Sequence, residues 1–481
     1  AVYSLTPASR GAPCPSPLAI NPHRASHFDI RHSAFGFHHP PLMISFDHDV
    51  LIIGGGPTGS TAAAYARREG FSVCVIEREM FPRFRIGESL LPHGNEIMKE
   101  TGVWPKVQQA GFVKKTGALF LLANGEAEKE IVFIQGLVPG LDQTYQIERA
   151  RFDKLLLEHA ASLGAEVVQP ATVRAVEPIE GGFRVRIERD GVPAEERTAR
   201  WVLDAGGREN HFPFEAKRAL DPSPFPKRVA IYSHFENVAR REGDAGGHTV
   251  VVRLADGWFW LIPISETRTS VGLVTTIDAM RRAKGTPEQI FNHAVAASPK
   301  LAELMCGARA TTSFHVTSDY TYFRRELATD RFVMIGDAGG FFDPIFSSGV
   351  YVGMNSARDA VRLIARAHRE NRGLTERERS RFTRVIKKRA KVFKDLIVSF
   401  YDNDAFSVFM CATPPLSLDR AVNAIVAGDS RMLWPVWWRF KIFLLICRIQ
   451  KHFAIVPRIN FSGMHGVDET PLAPPSAQHA R

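Results

Sequence analysis

The chain has 481 residues, 45% apolar and 23% charged, with a formal net charge of +10. That length exceeds what one core usually serves, so two or three connected domains of a globular protein are expected. The positive balance suits an anionic cofactor, but no lysine–arginine block dominates, which leaves no nucleic-acid partner in the reading. Cys14, Cys74, Cys306, Cys411 and Cys447 lack paired spacing. That argues against a disulfide framework or a metal site and for a reducing, cytoplasmic setting.

Residues 1–42 are rich in His, Pro, Ser and Ala, and Asp29 is their only acid. They lack an apolar core of signal-peptide length. A transit peptide would share this composition, but Met43 sits immediately before the first strand. The segment is therefore expected to be a disordered or non-native extension with Met43 as the native start.

The next stretch, Asp49 to Gly59, is an apolar run into Gly54, Gly56 and Gly59 at G-x-G-x-x-G spacing, followed by an alanine-rich helix from Ser60 to Glu69. Such glycines serve a tight turn, a close backbone approach to a pyrophosphate, and close packing of helix on strand. The helix N-terminus then offers free N–H groups to the diphosphate, with Pro57 and Thr58 at its start. A second strand, Phe71 to Ile76, ends at Glu77, placed to hold a ribose hydroxyl. Strand, helix, strand and acid together predict a dinucleotide site.

Further along are Pro82-Arg83 and Gly87-Glu88-Ser89-Leu90-Leu91-Pro92, then a short helix from Trp104 to Ala110, then Gly111-Phe112-Val113-Lys114-Lys115-Thr116-Gly117-Ala118-Leu119-Phe120. Arg149-Ala150-Arg151-Phe152-Asp153-Lys154-Leu155-Leu156 opens a helix whose apolar positions repeat at core spacing. Strands at Val167-Val168, Phe183 to Ile187 and Trp201 to Gly207 continue the first domain. From Arg228 to about Thr317 strands alternate without intervening helices (Val229–Phe235, 248–254, 258–264, 270–276), predicting an antiparallel sheet. Its third strand carries Trp258-Phe259-Trp260-Leu261-Ile262-Pro263. Arg331 to Ala338 is a strand ending in Gly336-Asp337, and Phe341-Phe342-Asp343-Pro344-Ile345-Phe346-Ser347-Ser348-Gly349-Val350 follows. The rest is largely helical. Leu433 to Ile455 mixes aromatics with basic residues and falls short of the about twenty apolar residues of a membrane span. It is expected to bury an apolar face on the protein rather than to lie on a membrane surface.

These motifs resemble those of flavin-dependent halogenases, in the branch acting on phenols and pyrroles, within the FAD-dependent monooxygenase superfamily. The resemblance spans Asp47 to about Asp402. It implies an α/β, Rossmann-like FAD-binding domain (43–227 and 321–385), an inserted antiparallel-sheet substrate domain (228–320), a helical C-terminal cap (386–461) and a mobile tail (462–481). It implies that Gly54, Gly56, Pro57, Thr58, Gly59, Glu77, Arg83, Arg149, Gly336, Asp337, Gly349 and Val350 bind FAD. The family lysine maps most directly onto Lys115, with Lys114 one place away, and Ser347 belongs to the loop beside the isoalloxazine and the halide. In this family a partner flavin reductase supplies reduced FAD, which with oxygen turns chloride or bromide into hypohalous acid, and the lysine guides it. Tryptophan halogenases carry a glutamate where this chain has Phe346, which points to an aromatic phenol, pyrrole or aryl polyketide, free or bound to a carrier protein. The alternatives are an NAD(P)H-using aromatic hydroxylase on the same scaffold and a geranylgeranyl-reductase-like FAD enzyme.

Overall fold

The computed structural model describes residues 45–208, 219–222, 225–318, 321–464 and 467. The extension expected over 1–42 and most of the tail expected over 462–481 lie outside the described residues.

The first sheet runs in the order Glu166–Val168, Val73–Ile76, His48–Ile53, Val192–Asp204, Gly182–Arg189, Thr172–Ile179, with Phe332–Met334 paired to Val192–Asp204. Its centre is parallel, with Val50 opposite Val73 and Ile53 opposite Asp204. A parallel centre covered on both faces needs apolar side chains on both faces, and Val50, Leu51 and Ile52 are fully buried. The helix Pro57–Arg68 begins at the glycine turn with proline in its first turn. Gly54 takes a positive φ of 93°, and a Cβ on Gly59 would lie 1.8 Å from the Gly54 carbonyl oxygen. The spacing of the two glycines is thus a packing requirement between turn and helix.

The second sheet is centred on Arg228–Glu236, Arg268–Thr276, Trp258–Pro263 and Thr249–Arg253, which pair antiparallel with one another in that order. Those are the four strands expected from alternation, within two residues at each end. The sheet is wider than the alternation implied. Gly117–Leu122 joins it parallel to Thr249–Arg253, followed by Glu128–Val132, so the segment just after the lysine pair belongs to this sheet. Helices are also present where none was expected: Ile277–Arg282, Pro287–Ala296 and Pro299–Leu304. Thr286 and Ser298 cap the latter two with their side chains, each followed by proline. Those cap signals outweigh the absence of a long periodic run.

The C-terminal third is helical: Ser348–Arg369, Glu376–Tyr401, Asn403–Met410, Leu418–Val426 and Trp434–Gln450. The division expected at 385/386 falls inside the helix Glu376–Tyr401. The last helix buries Val436, Phe440, Phe443 and Cys447 on its neighbours, while Trp434, Trp437, Leu445 and Ile449 face solvent. The expected burial therefore holds for one side of that helix. Among the described residues no helix is long and apolar enough to cross a membrane.

Candidate active site

The glycine turn, the acid that ends the second strand and the loop after Asp337 enclose a cavity of about 700 Å³. Of the residues expected to bind cofactor, Gly54, Gly56, Pro57, Thr58, Glu77, Arg83, Arg149, Asp337, Gly349 and Val350 line it. Gly59 and Gly336 stand behind the wall. Gly336 takes a φ of 59°, and a Cβ there would lie 2.6 Å from Thr58 Oγ1, so it lets the loop close on the helix start.

The polar groups of this cavity suit a dinucleotide. Glu77 is held in place because its Oε2 accepts from Gly55 N at 2.7 Å and its Oε1 from Glu79 N at 2.9 Å. Arg83 and Arg149 share the fully buried Asp153: Arg83 Nη1 donates to Oδ2 at 3.0 Å, Arg149 Nε to Oδ1 at 2.7 Å. Arg83 Nε is buried without a hydrogen bond among the described residues and stands 3.9 Å from the Glu77 carboxylate. The N-terminus of Pro57–Arg68 opens on the same space. At the other side Trp260, Phe341 and Pro344 form an apolar wall suited to a flat ring system.

The lysine pair divides across one strand. Val113–Lys115 pairs with Thr144–Gln146, and successive side chains of a strand point to opposite faces. Lys114 turns outward, its side chain 47% exposed, and meets Asp244 at 3.2 Å. Lys115 turns inward and is 2% exposed. Its Nζ donates to Ser89 Oγ at 2.7 Å and to the Leu90 carbonyl at 3.0 Å, and lies 5.5 Å from the Phe133 ring. Burial among neutral partners pulls its pKa down to about 7. Ser89 is in turn 3.0 Å from Thr249 Oγ1, which accepts from Gln146 Nε2 at 2.9 Å. A lysine so placed switches between ammonium and free amine near neutral pH, and the hydroxyl chain serves both forms by donating or accepting. Of the two lysines, Lys115 thus faces this chamber and Lys114 faces away from it.

The loop 341–350 is fastened by a network the sequence motifs did not reveal. Asp343, 2% exposed, accepts from Tyr401 Oη at 2.9 Å and from Ile345 N at 3.0 Å. Burial pushes its pKa up to about 6, opposed by Arg228 nearby. Trp258 Nε1 donates to Tyr401 Oη at 2.8 Å, and the Arg228 guanidinium lies 3.5 Å over the Tyr401 ring. The two tryptophans of the W-x-W-x-I-P strand therefore divide their work. Trp258 anchors the loop through Tyr401, and Trp260 walls the cavity. Gly272 on the adjacent strand makes room for Trp260, since a Cβ there would lie 2.1 Å from its ring.

Within the loop, Ser347 takes a left-handed φ of 54° and caps no helix N–H with its side chain, although it directly precedes Ser348–Arg369. A non-glycine residue in that region is uncommon, and here it turns the chain sharply into the helix. Phe346 is buried against Phe120, Phe400 and Phe409, ring centres 6.0 to 6.5 Å away. A carboxylate at this position would be buried in an aromatic cluster without a partner. Elsewhere, His48, Cys74 and Glu166 bring possible metal-ligand atoms within 4.8 Å of one another. Arg197 Nη1 stands 3.1 Å from Glu166 and already supplies the positive charge there.

A tryptophan halogenase family profile matches residues 49–133 and 97–407. The chain belongs to this family. It is 35% identical over 413 residues to a 1H-pyrrole-2-carbonyl-[peptidyl-carrier protein] chlorinase of Pseudomonas fluorescens strain Pf-5, covering 80% of this chain and 90% of that protein. The myxobacterial chondrochloren halogenase CndH has a similar structure, with a TM-score of 0.69, 28% identity, and coverage of 87% of this chain and 99% of CndH. A flavoprotein/dehydrogenase from Cytophaga hutchinsonii gives 0.75 and 28%, covering 84% of this chain and 99% of that one. This member of the family is thus an FAD-dependent halogenase, an oxidoreductase that takes FAD as cofactor and a halide as co-substrate.

Proposed function

We propose that this halogenase acts on an electron-rich aromatic, a phenol, a pyrrole or an aryl polyketide, free or carried on a carrier protein, and that Lys115 guides hypohalous acid to one ring carbon. A separate flavin reductase supplies the reduced cofactor. The observation that carries the reading is Lys115 itself: a fully enclosed amine held by the Ser89 hydroxyl and the Leu90 carbonyl, which lie two and three residues along the loop from the cavity-lining Gly87. The similarity to a chlorinase of carrier-bound pyrrole supports the substrate class.

FAD, reduced and with oxygen, supplies the oxidant that turns halide into hypohalous acid. Gly54, Gly56, Pro57, Thr58 and Glu77 would hold its adenosine and diphosphate, Arg83 and Arg149 would meet its negative charge, Asp337, Gly349 and Val350 would enclose the rest, and Gly59 and Gly336 would support the wall from behind. The chain's task afterwards is confinement and aim. Lys115 as the free amine takes the halogen: an N–X bond forms, the O–X bond breaks, and the amine proton leaves with hydroxide as water. When the ring carbon takes the halogen, the ring proton returns to Nζ, so the amine is restored. As the ammonium, Lys115 instead donates to the oxygen of hypohalous acid and polarises the same bond. Both forms fix the electrophile at one point, which is worth more to selectivity than raw reactivity. Phe346 in place of a carboxylate fits a ring rich enough in electrons to react without a strong base.

The test is an assay with reduced FAD, oxygen and a panel of phenols, indoles and pyrroles, free and carrier-bound, with and without bromide or chloride. A halogen isotope doublet on a phenol or pyrrole supports the reading. Addition of one oxygen regardless of halide would make the chain a hydroxylase.

A further inference from the structure

Between the flavin cavity and Lys115 the chain must pass a small, neutral oxidant without losing it. The residues at that junction are contiguous: Ile86 and Gly87 line the cavity, and Ser89 and Leu90 hold Lys115. The residue in the middle is Glu88. It is 1% exposed, and nothing in the mechanism above uses it.

Glu88 is held rigidly. Its carbonyl accepts from Ile147 N at 2.7 Å, and its Oε1 lies 2.7 Å from His234 Nε2. His234 is buried on the strand Arg228–Glu236, two residues from the cavity-lining Tyr232, with Phe84 tilted against its ring at 5.4 Å. The other carboxylate oxygen, Oε2, is buried without a hydrogen-bond partner among the described residues. A native interior rarely strands a carboxylate oxygen in this way. The charge of Glu88 is felt by Arg149 and Tyr232, both of which line the cavity. Glu88 is therefore a buried carboxylate with one oxygen pinned by His234 and the other without a donor among the described residues.

We propose that Glu88 Oε2 accepts the O–H of hypohalous acid in transit from the flavin cavity, with His234 pinning the other oxygen. This role rests on the halogenase reading and deepens it. Hypohalous acid is mostly protonated near neutral pH, so it brings the one donor that a buried carboxylate lacks. No bond is made or broken at Glu88. A carboxylate also has no sulfur, amine or electron-rich ring to be consumed by the oxidant, unlike most side chains that could accept the same hydrogen bond.

The experiment compares wild type, Glu88→Gln, Glu88→Asp, His234→Gln and His234→Leu with reduced FAD, oxygen, bromide and a phenol, counting both halogenated product and hypobromite captured by an external scavenger. Glu88→Gln keeps the volume and a bond to His234 but puts an amide where the acceptor was. The expected result is an about tenfold fall in product per flavin oxidised, matched by a rise in captured hypobromite. The rate of flavin oxidation, the KM for bromide and the amount of FAD bound should not change. His234→Leu should leak like Glu88→Gln, while His234→Gln and Glu88→Asp should recover part of the coupling. Product loss in parallel with loss of bound FAD would make Glu88 a structural residue and overturn the role, as would a Glu88→Gln enzyme coupled as tightly as wild type. A wild-type protein that yields neither product nor captured hypobromite would overturn the halogenase reading itself.

Discussion

The cofactor cavity and the lysine chamber adjoin each other, yet they are built on opposite plans. The cavity is made largely of backbone: glycines at Gly54, Gly56 and Gly59, a helix N-terminus, and a loop at Gly336, all placed by short contiguous motifs. The chamber is made of side chains brought from four separate segments, with Ser89, Lys115, Gln146 and Thr249 joined in one chain of hydrogen bonds. Backbone sites tolerate almost no added atom but care little which neighbours they have. Side-chain sites tolerate volume changes and depend instead on a single proton or hydroxyl.

That contrast can be broken most severely from the cavity side. Gly59→Ala puts a methyl 1.8 Å from the Gly54 oxygen, so the turn and helix must separate. Loss of bound FAD, read from the flavin absorbance of the purified protein, and complete loss of activity are expected. Retention of stoichiometric FAD would mean the turn is more pliable than its geometry implies.

Proton control in the chamber comes next. Lys115 is pulled from 10.5 down to about 7 by burial, so the unfolded chain holds more protons than the folded one between those values. Stability should therefore rise with pH from about 7 to about 10.5, and the penalty of burying the ammonium should be complete below about 7. Urea unfolding of wild type and Lys115→Met at pH 7 and pH 9.5 isolates this term. The wild type should gain stability relative to the variant as pH rises. If amine transfer carries the halogen, product formation at saturating halide should rise through a midpoint near the same pH.

A smaller effect is expected where the two regions are joined. Tyr401→Phe removes the hydroxyl that links Trp258 to Asp343 and leaves that oxygen of Asp343 facing Arg228 at 3.9 Å. A buried acceptor deprived of its donor costs about 1–3 kcal/mol, visible as a lowered Tm. Coupling should loosen as the loop bearing Ser347 shifts. The smallest effect belongs to Lys114→Ala, because an exposed ion pair contributes about 0–1 kcal/mol and its side chain faces away from the chamber. Activity should stay within about twofold of wild type.

The same contrast explains what the sequence disclosed. Gly-x-Gly-x-x-Gly, Glu77 and Gly336-Asp337 were legible because a backbone site has to be written contiguously. Which of Lys114 and Lys115 faces inward was not. Alternation on a strand says that the two point apart, but only the packing of Phe133 and Ser89 says which direction is inward. Asp343, Tyr401 and Trp258 were invisible as a unit because their link crosses 58 and 143 residues of chain. Glu88 stood within a recognised motif, but its partner His234 lies 146 residues away on the other sheet. The helices after Thr276 were overlooked for a different reason. Their Thr286-Pro287 and Ser298-Pro299 starts were present, but the elements are too short for periodicity to register.

The most direct test of the account is product formation by Lys115→Ala with reduced FAD, oxygen, bromide and a reactive phenol, alongside a hypobromite scavenger. The brominated phenol should fall by about a hundredfold or more while flavin oxidation continues at the wild-type rate and captured hypobromite rises to match the lost product. Bromination by Lys115→Ala at the wild-type rate and position would contradict it, since the halogen would then reach the ring without the one buried amine that the chamber is built around.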